Sequence, residues 1–402
     1  MEGTQQHRRL ATIARHLTDS SSLHALAYEH NIKPGDKTPV VIGGMVLDIQ
    51  SSPKGKQLLR GSTSPGEVRY ENGGVARNIA ENMALLGSLP FLISVVGDDV
   101  AGESMLKHWK SLGLSTAGIR TCKGARTPVV SAVFDNQGEL AAAVADTNLI
   151  EEKLTVEWIM KFKDDIQRAT IIILDANLPP PALEATCKLA KETNVPIWFE
   201  PVSVAKSVRA SRFLNLITYT SPNEAELIAM AESVCQVNNI EKKLFDDEVP
   251  ADKNLPEPAA SLWRTRHYIQ SLLDTGLGYI ILTLGEYGAV LCSLRSTSSE
   301  NLGTVKETPL SGISKNESGI NFLHFPALRA SISNLSGAGD CLAAGTVSAL
   351  SSGADISSAL ANGVSASKWA VESASNVPPN LDPASVADCA KMVKSRAQKL
   401  VV

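Results

Sequence analysis

The sequence predicts an α/β fold in which a mostly parallel central sheet is flanked by helices, with a smaller set of strands beside it. Three observations carry that expectation. Short apolar runs rich in valine and isoleucine recur without polar alternation, the pattern of strands buried on both faces. A helix-length segment follows each run, as parallel strands require. At two places the rhythm gives way to strand pairs lacking helical period.

Taken in order, Val40–Val46 reads as the first buried strand, a short apolar run ending in glycine. Val75, Ile79, Met83 and Leu86 form a helical stripe, with Gly87 as its stop. Phe91–Val96 is a second strand, and Gly97-Asp98-Asp99 turns into a helix through Leu106 and Trp109. Further strands are expected at Ile171–Leu174, Pro196–Phe199, Leu216–Thr220 and Tyr279–Leu284. The exceptions are Ser51–Tyr70 and Pro128–Ala145. In the second, Val129–Phe134 and Glu139–Val144 flank the turn Asp135-Asn136-Gln137-Gly138. The chain divides into an N-terminal extension over residues 1–38 and one domain over 39–400. Extra strands are expected near 51–72 and 128–146, and polar insertions, read as loops, near 238–258 and 293–321.

With 402 residues, 44% of them hydrophobic, the chain has enough apolar material for one large α/β core or two modest ones. A net charge of −4 with mixed signs offers no basic patch, which argues against nucleic acid and anionic membrane as partners. No apolar run approaches the ~18 residues of a bilayer span. Six widely spaced cysteines without a C-x-x-C pair read as reduced, individually packed thiols.

The chemistry concentrates in Asn334-Leu335-Ser336-Gly337-Ala338-Gly339-Asp340 and the small-residue helix that follows. A glycine turn opening into a helix presents unpaired N–H groups and the positive end of the dipole, a site for phosphate. A carboxylate there repels phosphate, so Asp340 makes sense as a base that takes a proton from an alcohol attacking a phosphoryl group. Gly337, Ala338 and Gly339 would form the anion hole, and the pairing suggests a small-molecule kinase. Upstream, Asp48 follows the first strand, where α/β sheets bind ligands, and a carboxylate can accept from two vicinal hydroxyls; a turn or capping aspartate is the plainer reading. Thr220-Ser221-Pro222-Asn223-Glu224-Ala225-Glu226 ends a strand and starts a helix, with Ser221 as N-cap and proline at N1.

Gly73-Gly74-Val75-Ala76-Arg77-Asn78-Ile79-Ala80, followed by Gly87 and Gly97, resembles the N-terminal signature of the ribokinase/PfkB carbohydrate kinases, and the GAGD segment resembles their C-terminal one. The resemblance covers roughly Val40 to Ala370. It implies ATP and Mg²⁺, and a lid that excludes water from a sugar site. It implies that Asp48, Gly73, Gly74, Asn78, Arg77 and Asn148 surround the alcohol substrate. Asn223 and Glu226 would organise magnesium and phosphate through waters. Thr283, Gly285, Gly288 and Asn362 would lie on the nucleotide side. Asn334 stands where relatives carry an acid that helps bind potassium, so a K⁺ requirement stays open.

The bulky Arg77, with Glu200-Pro201-Val202-Ser203 and Ala145-Asp146-Thr147-Asn148-Leu149-Ile150, resembles the branch of that family that phosphorylates pseudouridine on its 5′-hydroxyl. That branch implies a pathway partner, a pseudouridine-5′-phosphate glycosidase on another chain. A ribose, adenosine or fructose kinase, a non-catalytic kinase-like interaction protein, and a homodimer all remain open. Arg9-Leu10, five residues, then His16-Leu17 resembles the N-terminal peroxisomal targeting nonapeptide. An arginine-rich mitochondrial presequence or a cytoplasmic enzyme with an amphipathic N-terminal helix are the competing readings.

Overall fold

The computed structural model describes residues 37–54, 61–137, 140–237, 255–295 and 319–401. The targeting segment around Arg9–Leu17, the tip of the hairpin turn at Gly138, and most of both polar insertions lie outside the described residues.

The strands are β1 (Val40–Ile42), β2 (Val46–Pro53), β3 (Gly66–Gly73), β4 (Phe91–Gly97), β5 (Ile119–Cys122), β6 (Val129–Phe134), β7 (Leu140–Asp146), β8 (Ile172–Asp175), β9 (Ile197–Glu200), β10 (Tyr219–Thr220), β11 (Tyr279–Thr283), β12 (Ala289–Leu294), β13 (Ile320–Phe325) and β14 (Gln398–Leu400). Ten form one sheet in the order β14-β13-β12-β11-β10-β9-β8-β1-β4-β5. From β11 to β5 every pairing is parallel; β11–β12, β12–β13 and β13–β14 are antiparallel. The parallel strands β1, β8 and β9 are buried along their whole length, as their unbroken apolar runs require. Separate apolar clusters include Phe199 and Leu183 in one and Trp198 and Trp109 in another. Adjacent residues of a strand point to opposite faces, so the core lies on both sides of the sheet.

The other four strands form a small sheet, β3-β2-β6-β7. β2 pairs antiparallel with β3 and parallel with β6, and β7 closes a hairpin with β6. β7 is exposed throughout, and so is most of β3.

Three expectations need correction. The run Val40–Val46 is not one strand. β1 stops at Ile42, Gly43-Gly44 bends the chain, and β2 restarts at Val46 in the other sheet. The strand expected over Leu216–Thr220 is only Tyr219–Thr220, because Leu214–Leu216 coils into a 3₁₀ turn. The helix after β10 begins at Glu224, so Ser221 is not its N-cap. The helix Val75–Leu85 ends as expected, with Gly87 at φ +85° donating its N–H to the Ala84 carbonyl. All six cysteines are free, and no helix among the described residues is long and apolar enough to cross a membrane.

Candidate active site

The strand order reverses at β1, which sits between β8 and β4. Such a switch point opens a crevice beyond the C-terminal ends of the strands. Asp175, the last residue of β8, fills its floor. Its buried carboxylate accepts from the N–H groups of Gly44 (2.9 Å), Ala76 (3.1 Å) and Asn177 (3.0 Å). One side chain therefore clips the turn after β1 to the first turn of the helix Val75–Leu85. A Cβ on Gly43 would overlap this carboxylate, and a Cβ on Gly74, at φ +93°, would overlap the Gly44 carbonyl. Asp175 went unread in the sequence although it ends a recognisable buried strand, the same signal used for Asp48.

Asp48 reaches the crevice by another route than expected. It lies on β2, opposite Glu71 and Val130, and so belongs to the small sheet and not to the end of a parallel strand. Asn376 donates to its Oδ2 at 3.1 Å. Burial raises the Asp48 carboxyl to about 6, against the lowering effects of the Asn376 hydrogen bond and the Arg77 charge. A Cβ on Gly73 would overlap this carboxylate, so that glycine makes room for Asp48.

From the opposite wall comes the helix Ala338–Ser351. Gly337 precedes it at φ +79°, in the left-handed region, with no side-chain cap on the first turn. Its backbone presses on the Asn376 carbonyl so closely that a Cβ would overlap it. Nothing lies within 4 Å of where a Gly339 Cβ would stand, so that residue faces open space. Asp340, in the first turn, accepts at Oδ2 from Asn78 Nδ2 at 2.7 Å. Burial raises its carboxyl to about 6; Asn78 and Arg77 pull it down, while the charges of Asp175 and Asp48 push it up. The two signatures distant in sequence thus meet at one hydrogen bond.

Arg77 is 2% exposed. It donates to the Gly73 carbonyl (3.2 Å), the Asn72 carbonyl, the Asn78 amide oxygen and Glu81. Glu81 also receives His108 at 3.0 Å. The side chain is thus committed to protein partners instead of lying open in the crevice, contrary to its expected place around the alcohol. Asn148 is exposed at the start of the helix Asn148–Lys153, after β7.

On the other flank, Asn223 and Glu226 form a reciprocal capping box. Asn223 Oδ1 accepts from the Glu226 N–H and Glu226 Oε2 accepts from the Asn223 N–H, both at 2.9 Å. Ser221, freed from capping, donates to Glu200 and accepts from Trp198 Nε1 at 3.1 Å. Glu200 ends β9 fully enclosed, its carboxyl held well above the usual range by burial and by the charges of Asp340 and Glu226. Burial also raises Glu226. Thr283 bridges to Asn223, and both its N–H (3.0 Å) and hydroxyl (3.3 Å) donate to the Pro222 carbonyl. Gly285, at φ +55°, opens a 3₁₀ turn with empty space beside it, whereas Gly288 is required by the Phe325 carbonyl it packs against. Asn362 donates to the Ser358 carbonyl of its own helix.

The crevice therefore combines an uncapped helix N-terminus, a raised carboxyl beside it, a second raised carboxyl on the small sheet, and two further carboxyl groups on the flank. That is the equipment of an enzyme that moves a phosphoryl group to an alcohol. The chain belongs to the pfkB family of carbohydrate kinases, whose model matches residues 37–382. It is a phosphotransferase with an alcohol acceptor. Among characterised relatives it is 39% identical to pseudouridine kinase from Arabidopsis thaliana over 90% of this chain and 98% of that one. It is 34% identical to Escherichia coli pseudouridine kinase over 46% of this chain and 58% of that one. Among solved structures, Arabidopsis thaliana ribokinase complexed with ribose and ATP superposes with a TM-score of 0.65 at 17% identity, over 88% of this chain and 99% of that one. A carbohydrate kinase from Agrobacterium tumefaciens superposes with a TM-score of 0.66 at 24% identity, over 91% and 100%.

Proposed function

We propose that the protein transfers the γ-phosphoryl group of ATP to the 5′-hydroxyl of pseudouridine. The observation that carries this is the Asn78–Asp340 hydrogen bond, which sets a raised carboxyl at an uncapped helix N-terminus facing a carboxylate on the small sheet. The near-full-length likeness to a plant pseudouridine kinase supports the choice of nucleoside.

In this reading Asp48 accepts from the ribose hydroxyls, with Gly73 making room for its carboxylate and Gly74 for the bend at Gly44. The 5′-hydroxyl meets Asp340, which takes its proton on Oδ1 as the oxygen attacks the γ-phosphorus. The bond from that phosphorus to the β-phosphate oxygen breaks, and ADP leaves with the electron pair. The N–H groups at Gly337–Gly339 stabilise the charge on the transferring group. The small sheet excludes water that would otherwise accept the phosphoryl group.

Asn223 and Glu226 would hold a hydrated Mg²⁺, with Glu200 behind them. The fit rests on the neighbouring carboxyls Glu200 and Glu226, both raised by burial, with the Glu226 charge raising Glu200 further, so that the pair would favour a cation. Bound there, the ion would neutralise phosphate charge. Thr283, Gly285, Gly288 and Asn362 would border the nucleotide. Asn334 spends its Oδ1 on the Ser336 N–H, which favours activity without added K⁺.

The test is ADP release with pseudouridine, uridine, ribose, adenosine and fructose in parallel. Pseudouridine should give the highest kcat/KM; a higher value with any other acceptor refutes the assignment. The product would suit a glycosidase that cleaves a C–C glycosidic bond. We also propose peroxisomal import through Arg9, Leu10, His16 and Leu17. A fluorescent fusion after Val402 should be punctate and become diffuse on Arg9→Ala with His16→Ala; a diffuse or mitochondrial signal from the unmutated fusion refutes it.

A further inference from the structure

We propose that Arg77 is a positioning residue. Its buried guanidinium locks the Asn78 amide so that the NH₂ end must face Asp340, which leaves Asp340 Oδ1 free to take the alcohol's proton. The inference rests on Asp340 being the base.

The argument starts from what an arginine can do. A guanidinium has five N–H donors and no acceptor, and it stays charged. Four donors are taken, by the Gly73 and Asn72 carbonyls, the Asn78 Oδ1 and Glu81. Because Arg77 can only donate, it fixes the Asn78 oxygen on its own side. The NH₂ is thereby turned to Asp340 Oδ2 at 2.7 Å, where it can only donate. Oδ2 accepts and cannot carry a proton along that bond, which leaves Oδ1, untouched by Asn78, as the oxygen with both lone pairs open. A leucine or alanine at position 77 would leave the Asn78 amide free to turn over and offer its oxygen to the carboxyl, which would favour protonated, inactive Asp340.

Arg77 also supplies charge. The groups facing Asp340 are Asp48 on β2, Asp175 on β8, Glu200 on β9, and Cys341 on its own helix. Among these groups and Arg77, only Arg77 is a cation, and it lowers both Asp340 and Asp48. Glu81 neutralises its far side and is in turn paired with His108, whose side chain is 34% exposed. An Arg77–Glu81 pair with 2% and 9% exposed side chains is expensive to bury for stability alone.

The experiment records kcat, both KM values and their pH profiles for Arg77→Met, Arg77→Lys and Glu81→Gln beside the wild type and Asp340→Asn. An active wild type with an inactive Asp340→Asn establishes the base first, whichever alcohol proves best, and failure there defeats the parent reading instead. Arg77→Met should lower kcat by ~10–100-fold, more than it changes either KM, and move the acid limb of kcat to higher pH by about half to one unit. Arg77→Lys should recover part of the charge effect on the pH limb but little of kcat, since an ammonium lacks the planar fork. Glu81→Gln leaves the cation uncompensated and should move the limb to lower pH. That opposite sign separates the proposal from mere loosening of the helix, and it holds even if Arg77→Met does not fold. An unmoved acid limb in Glu81→Gln, or in a folded Arg77→Met, overturns the proposal. So does a nucleoside KM in Arg77→Met or Arg77→Lys that rises as much as kcat falls, which would mark Arg77 as a ligand contact.

Discussion

Titration of the site should separate its two carboxylates. Burial raises both Asp48 and Asp340 to about 6. Binding the nucleoside needs Asp48 ionised, and proton transfer needs Asp340 ionised. A group with a pKa of about 6 is about one-eleventh ionised at pH 5 and about ten-elevenths at pH 7, a roughly tenfold change. For kcat/KM of the nucleoside both groups count, so the rise between pH 5 and 7 should be about a hundredfold, with a limiting slope near two. For kcat at saturation Asp48 is already covered, so the rise should be about tenfold with a slope near one. The charge of Asp48 is among the causes that raise Asp340, so the apparent values belong to the pair and spread about their mean. The assay is ADP release at saturating ATP from pH 5 to 8, repeated with Asp48→Asn. That variant should keep the slope of kcat and lose one unit of slope in kcat/KM. The γ-phosphate of ATP titrates in the same range but is common to both enzymes, so the comparison cancels it. A wild-type kcat/KM that is flat over this range, or a slope that Asp48→Asn leaves unchanged, refutes the two-carboxylate site.

Asp340→Asn should lose ~10²–10⁴ in kcat with ATP and nucleoside binding largely retained, and direct titration of both ligands would check this. It should also melt higher than wild type at pH 7.5, by about 1–4 °C. The folded-state carboxyl is raised, so the native protein binds a proton the unfolded chain does not between about pH 4 and 6, and wild-type stability falls as pH rises through that window. The melting advantage should therefore shrink to roughly half at pH 5 and vanish only below about pH 4, and calorimetry across that range tests it. Gly337→Ala should cost about 1–3 kcal/mol, from the left-handed φ and the overlap with the Asn376 carbonyl, and should raise the nucleoside KM because Asn376 also holds Asp48. Gly339→Ala, with open space beside it, should change stability by less than ~0.5 kcal/mol, so any loss of kcat there reports on phosphate approach. Asp175→Ala should cost about 3 kcal/mol or more by stranding three N–H groups, read from denaturant midpoints.

Local pattern was enough for much of this molecule. Unbroken β-branched runs identified β4, β8, β9 and β11 to within a residue or two, because a strand covered on both faces has no polar side to interrupt it. The glycine turn before Asp340 was legible for the same kind of reason: a left-handed residue followed by a helix start is a property of four adjacent residues. The small sheet was also visible, since loss of helical period is local.

What the sequence could not decide was which distant groups share a hydrogen bond. Asp48 sits on the small sheet because a two-glycine bend ends β1 early, and only pairing with β3 and β6 shows where β2 goes. Asp175 and Asn376 matter through the backbone groups and carboxylate they touch more than 90 residues away or across the crevice, contacts with no sequence signature. Family resemblance alone places Arg77 around the alcohol; in the structure burial turns it inward to Glu81, Asn78 and two carbonyls. Composition and periodicity thus determined the layers, and the glycine turn before Asp340 was legible from its own residues, because that information is local. The tertiary structure alone decided how the carboxyls, Asn78 and Arg77 bias one another, because electrostatic coupling depends on distance in space and on the solvent that packing removes.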